Sequence, residues 1–207
     1  AMIDPGTADI TARVLETLSH FGYNQDSLRV RKALEFIHPH QEKDGSFWGR
    51  WGVNYIYGTW QVLKGLASMG VPSTHPSMIG GAAWLRSVQK EDGGWGETCQ
   101  SYDDPTLRGR GPSAPSQTAW ALAGLIGAGQ AASPAVEAGV RYLLRSQAAD
   151  GSWPEAAYTV KCDSDNNSEA DQAEGRLTVD IGVAPTEPYE FVLFRLGHAQ
   201  DALKVTE

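Results

Sequence analysis

The feature that most constrains this chain is a seven-residue phrase spelled three times. It reads Gln41-Glu-Lys-Asp44-Gly45-Ser46-Phe47, Gln89-Lys-Glu-Asp92-Gly93-Gly94-Trp95 and Gln147-Ala-Ala-Asp150-Gly151-Ser152-Trp153. Ahead of each Gln stands an aromatic–aliphatic pair at the same spacing: Phe36-Ile37, Trp84-Leu85 and Tyr142-Leu143. An apolar pair followed one turn later by Gln is helical spacing. The Asp-Gly that follows predicts the stop, because glycine takes left-handed dihedrals without a steric cost.

A second element alternates with the first. Thr11 to Leu18, Thr59 to Leu66 and Thr118 to Leu125 each place apolar residues at helical intervals, with Gly22, Gly70 or Gly129 four residues further on. The offset from each Thr to the next aromatic is 25, 25 and 24 residues, so the two elements repeat as a unit. The chain therefore reads as a series of helical hairpins. The Thr-led helices carry small residues (Ala119, Ala121, Ala123, Gly124) and are expected on the inside, with the helices before each Gln outside. Pro72 to Pro76 and the Gly/Pro-rich Asp103 to Pro115 read as connections, and Ser133-Pro134 as a helix start.

Composition narrows the function classes. With 17 basic and 25 acidic residues, net charge −8, the chain lacks the concentrated positive face that nucleic acid requires. The longest apolar run, Ala119 to Gly129, falls short of the roughly 18–20 residues that span a bilayer. Two cysteines, Cys99 and Cys162, form neither a disulfide framework nor a CxxC metal site, so a reducing compartment is expected. Ala1-Met2 opens no leader pattern and reads as a start cut from something longer.

Beyond Tyr158 the repeat stops. Residues 159–188 are polar and acidic, with Asp163, Asp165, Glu169, Asp171 and Glu174 among Asn, Ser and Gln, and are expected to be solvated and flexible. Residues 189–207 open on an apolar run, Tyr189 to Leu196, that admits either a final helix or a strand.

The repeated phrase after an aromatic-led helix is similar to the QW motif of triterpene cyclases. The run from Asp44 through Arg50-Trp51-Gly-Val-Asn-Tyr-Ile-Tyr57-Gly-Thr59 resembles squalene–hopene cyclases in particular, as do Asp92 to Asp103 and Pro115 to Leu122. The resemblance covers Asp4 to about Tyr158. It implies an all-α fold, an α/α-barrel (α/α toroid) of two concentric rings of helices, of which residues 1–158 supply about half. It further implies proton-initiated cyclisation of squalene in a cavity whose aromatic faces stabilise the successive cations, with no metal and no cofactor.

Position by position, the resemblance assigns Trp51 and Tyr57 to the cavity wall and Asp9 to the support of the catalytic acid. The repeat residues Gln41, Gln89, Trp95, Gln147 and Trp153 are structural in the family and tie outer helices together. Packing between helices is the simpler alternative for Trp51 and Tyr57.

Three departures bear on activity. The Asp-x-Asp-Asp motif that supplies the proton does not occur here; Asp163-Ser-Asp165-Asn166 approaches it in letters but lies in the polar segment, where nothing apolar shields an acid. The histidine expected four residues after Asp9 is Arg13, which stays protonated and cannot shuttle a proton. The aromatic segment expected after the last repeat is replaced by the acidic tail. A half ring would also expose an apolar inner face, expected to include Leu15, Leu63 and Leu122.

The resemblance therefore implies these partners: a hydrophobic isoprenoid ligand, the missing half of the ring or a second copy, and peripheral membrane contact on the cytoplasmic side. A zinc-dependent prenyltransferase β-subunit is a rival barrel, but Cys99, Cys162 and the five histidines show no ligand spacing. The Gly-Cys-Gly-Glu-Gln phrase of a thioester domain is missing around Cys99-Gln100. A non-catalytic binding or pairing module, or an inactive fragment, is the remaining alternative. Asp103-Asp104 reads as a solvated pair, and His38 and His40 as surface residues.

Overall fold

The computed structural model describes residues 5–153 and the strand residues 158–161, 177–183, 192–199 and 202–206. The chain divides into two compact units, Ala1–Glu155 and Ala156–Glu207.

The first unit is helical. Its six α-helices are α1 (Ala8–His20), α2 (Leu28–Ile37), α3 (Tyr55–Ser68), α4 (Pro76–Ser87), α5 (Pro115–Gly127) and α6 (Pro134–Ser146). They form three hairpins, α1–α2, α3–α4 and α5–α6, and α3 packs between α1 and α5. The Thr-led helices thus make one layer and the helices before each Gln the other, as the repeat requires. Proline starts α4, α5 and α6, where its missing N–H costs nothing. The six glycines that the sequence places as helix or turn stops (Gly22, Gly45, Gly70, Gly93, Gly129, Gly151) all have φ between 73° and 96°, the left-handed region that other residues avoid.

The inner helices approach one another closely through one repeated position. A Cβ on Gly65 of α3 would lie 2.3 Å from the Ala12 carbonyl oxygen, and one on Gly124 of α5 would lie 3.1 Å from the Trp60 Cα. Between layers, Leu63 meets Gly81 of α4 and Leu122 meets Gly139 of α6. Leu63 and Leu122 are consequently buried, and Leu15 is buried as well. This corrects the expectation that they line the open inner face: none of the three is exposed, and on α3 and α5 the leucines point at the outer layer. The large apolar side chains exposed on α1 are instead Ile10 and Val14.

The second unit adds β1 (Tyr158–Lys161), β2 (Leu177–Val183), β3 (Val192–Ala199) and β4 (Ala202–Thr206), an antiparallel sheet in sequence order. Val160 pairs with Ile181, and Ile181 with Phe194. The helical reading of the repeats did not extend to these strands. Parts of the segment expected to be flexible lie in β1 and β2, where Thr178, Val179, Ile181 and Val183 are β-branched residues suited to a pleated surface. Of the segment 189–207, residues 192–199 and 202–206 take the strand alternative. The acidic run 162–176, with Asp163-Ser-Asp165-Asn166, lies outside the described residues.

Candidate functional site

The repeat register locates the site. Counting from Thr11, Thr59 and Thr118, the residues two before are Asp9, Tyr57 and Ser116, and the residues two after are Arg13, Gln61 and Trp120. Positions that share structure but not residue type are where one hairpin differs chemically from the next. Four of these six side chains form one cluster. Arg13 donates to the Tyr57 hydroxyl, and with the Gln61 amide oxygen turned toward it, Arg13 Nε also donates to Gln61 at 3.2 Å. The Arg13 guanidinium carbon lies 5.7 Å from the Tyr57 ring centre. Tyr57 sets its ring edge-on to Trp120 at 5.2 Å and to Trp60 at 5.7 Å. Burial raises the Tyr57 phenol above its ordinary pKa, with the neighbouring Arg13 charge opposing.

Asp9 is 1% exposed. Its Oδ2 accepts the Arg50 backbone N–H at 2.8 Å, while its buried Oδ1 has no hydrogen-bond partner in the structure. A buried carboxylate oxygen left without a donor is uncommon and costly, which makes it a functional candidate rather than a packing detail.

Asp9 thereby holds one end of the loop that carries Trp51. The loop is fixed from several sides. Tyr102 donates to the Arg50 and Gly52 carbonyls at 3.3 and 2.9 Å. The backbone lies against Tyr57: a Cβ on Gly52 would come within 2.4 Å of the ring, so this glycine is required by close approach. Trp51 itself is 42% exposed, with the Arg50 guanidinium 5.8 Å from its ring centre. The structure thus gathers Asp9 and Tyr57 around one loop and leaves the Trp51 indole projecting from it.

Glu97 is a residue that sequence reasoning missed. Its buried Oε2 accepts the backbone N–H groups of Tyr55 and Ile56, each at 3.0 Å, at the first turn of α3. Asn54 makes no side-chain cap there, so the carboxylate answers the helix's unsatisfied N–H groups and its positive end. Gln117 of α5 clamps Glu97 in turn, accepting its N–H at 2.7 Å and donating to its carbonyl at 3.0 Å. The start of α3, and with it Tyr57, is positioned from α5. Trp60 and Trp120 were missed too; the departure from repeat at Arg13, Gln61 and Trp120 was the available signal.

Other expectations resolve simply. Asp104 accepts from Thr106 N–H at 2.9 Å and Thr106 Oγ1 at 2.7 Å, a local turn. His38 is not a plain surface residue: it is half-buried and stacks on His75 at 4.5 Å. Among the described residues no group of three or more His, Cys, Asp or Glu is placed to hold a metal, and no helix is long and apolar enough to cross a membrane.

Hairpin layers around an aromatic, acid-bearing inner face define an α/α repeat protein of the terpene-cyclase type. Residues 1–163 match the family Squalene-hopene cyclase C-terminal domain, and the chain belongs to that family. It is 47% identical over 156 residues to a squalene–hopene cyclase of Alicyclobacillus acidocaldarius, covering 75% of this chain and 25% of that one. It is 42% identical over 161 residues to that of Zymomonas mobilis (77% and 24%). Identity to a dammaradiene synthase of Dryopteris crassirhizoma is 44% over 183 residues (77% and 27%). The chain spans about a quarter of the length of these relatives. A crystal structure of a protein from Actinoplanes shares the fold, with a TM-score of 0.54, 22% identity, and coverage of 74% of this chain and 41% of that one.

Proposed function

We propose that this chain supplies part of the cavity wall for proton-initiated cyclisation of a linear triterpene such as squalene to a polycyclic product. The initiating acid comes from outside these residues, since no Asp-x-Asp-Asp occurs in them. The observation that carries the reading is the Trp51 loop, held by Asp9 through the Arg50 N–H and packed at Gly52 against Tyr57, to which Arg13 donates. Aromatic faces stabilise a travelling carbocation without a lone pair that would trap it. Trp51 and Tyr57 serve as such faces. Asp9 supports the initiating acid in this reading, and its buried, unpartnered carboxylate oxygen speaks for that role.

Arg13 favours a second reading. A guanidinium at the position where the family resemblance expects histidine cannot relay a proton, so the chain would then be a non-catalytic binding or pairing module on the same wall. In either case the ligand is a hydrophobic isoprenoid, and the open edges are covered by the rest of the ring or by a second copy. Peripheral contact with the cytoplasmic face of a membrane belongs to the same proposal.

The test is a titration of squalene in detergent micelles into the full chain, followed by tryptophan fluorescence. Saturable quenching is expected, weakened about tenfold or more by Tyr57→Leu and by Trp51→Ala, since each removes a large apolar contact. Quenching that does not saturate, or that is identical in both variants, contradicts the assignment.

A further inference from the structure

The repeat gives every inner helix two stripes that can form a seam. Val14 and Thr17 of α1, with Phe21 at its C-cap, correspond to Val62, Gly65 and Met69 on α3 and to Ala121, Gly124 and Ala128 on α5. On α3 and α5 this stripe packs on the helix before: Gly65 lies against the Ala12 backbone and Gly124 against that of Trp60. Val62, Met69, Ala121 and Ala128 are buried accordingly. On α1 the same stripe is open, with Val14 52% and Phe21 76% exposed.

The opposite stripe is Ala12 and Glu16 on α1, Trp60 and Lys64 on α3, and Ala119 and Ala123 on α5. On the first two helices it receives the next one. Ala12 is fully buried, and Trp60 stacks on Trp120 of α5 with ring centres 5.8 Å apart and planes 2° from parallel. On α5 Ala119 is exposed, and so is Ile126 further along the stripe. The two open stripes are thus the two halves of a seam that the chain builds twice within itself. Their sizes fit. Thr17 cannot approach as closely as Gly65, whose Cβ would meet the Ala12 carbonyl oxygen at 2.3 Å, so this seam is wider. Phe21 in place of Met69 or Ala128 reaches across the wider gap, and Ala119 and Ala123 leave room that Trp60 and Lys64 would fill. The outer layer has no such fit: Arg29 of α2 stands where Ser77 is buried at the first joint, and a guanidinium there would lose its water.

We propose that the open α1 stripe docks on the open α5 stripe of a second copy, so that chains associate head to tail through their inner layers while the third outer joint stays open. Apolar side chains that the chain buries in its own seams leave water again in this contact. Each copy uses a different patch, which makes the contact heterologous. The inference rests on the ring reading above, for whose open edges it names the partner, and is independent of the ligand.

The test is sedimentation equilibrium of the full chain without ligand. The wild-type mass is expected to rise with concentration to that of two chains or more. Val14→Glu charges the α1 stripe and Ala119→Glu the α5 stripe; both positions are exposed in the single chain, so far-ultraviolet circular dichroism should be unchanged. Each variant alone is expected to associate about tenfold or more weakly, because the seam would bury an unpaired carboxylate. An equimolar mixture of the two is expected to recover pairs of wild-type affinity, since the Ala119→Glu chain keeps its α1 stripe and the Val14→Glu chain its α5 stripe. A monomeric mass at every concentration overturns the inference, as does association that survives both variants. A mixture that associates no better than its components overturns it too, because a twofold contact between like stripes behaves in that way. Squalene quenching is read separately: a monomer that still quenches saturably leaves the hydrocarbon reading standing, and association without quenching overturns that reading alone.

Discussion

The three Gln joints are written almost identically and end in different environments. At the first two, the amide of Gln41 donates to Gly45 O and Ser77 O, and that of Gln89 to Gly93 O and Ala135 O. Each bond pair ties its own turn to the first turn of the next outer helix. Gln147 makes the local bond, to Gly151 O at 2.8 Å, and among the described residues no second one. The aromatic residues follow suit. Trp95 and Trp153 both donate to a carbonyl ten residues upstream at 2.7 Å, yet Trp95 is fully buried and Trp153 is 44% exposed. The local half of the motif forms wherever its letters occur; the tertiary half requires a following hairpin that brings a small residue, as Gly139 is brought against Trp95.

The largest contrast should appear at the aromatic. Trp95→Ala is expected to cost about 3–5 kcal/mol in urea denaturation, as full burial of a large ring implies. Trp153→Ala should cost under about 1 kcal/mol, the range of exposed sites. Equal losses would mean that the third joint is closed in solution. The amides should differ less. Gln89→Ala leaves two carbonyls without their donor and is expected to cost about 1–3 kcal/mol, against roughly 0.5–1.5 for Gln147→Ala, which breaks one exposed bond.

The smallest effect belongs to the His38–His75 stack, which sits at the first joint. Burial, and then the His75 charge, hold His38 below its ordinary value of 6.5. The unfolded chain therefore takes up that proton more readily than the folded one. Stability is lost as pH falls through about 6.5 toward the lower folded value. Melting temperatures between pH 7.5 and 5.5 should fall in the wild-type chain and fall less in His38→Gln. An identical slope would assign the pH dependence to other groups.

The same contrast explains what the letters reveal. Hairpins, proline starts and glycine stops depend on short-range geometry, so Pro134 and Gly93 could be placed from sequence. The direction of Leu63 and Leu122 could not, because it depends on which face a neighbouring helix covers, and Gly81 and Gly139 mark that face across 18 and 17 residues of chain. Tyr57 and Asp9 came through family resemblance. Glu97 escaped because its partners are N–H groups of another hairpin, which carry no sequence signature. Trp60 and Trp120 escaped because a tryptophan in a helix of small residues reads as packing until the stack is seen. Strands β1 and β2 escaped because acidic residues between them dominated the composition, whereas the apolar run from Tyr189 admitted the strand that β3 takes.

The proposed function requires a hydrocarbon to bind on the inner face, beside Trp51, Trp60 and Trp120. The chain has seven tryptophans, and their indole N–H signals can be followed one by one by nuclear magnetic resonance as squalene is added in micelles. Saturable shifts are predicted for Trp51, Trp60 and Trp120, with Trp84, Trp95 and Trp153 unmoved. Shifts centred on Trp153, with the inner three silent, would contradict the claim and place the apolar contact at the open third joint.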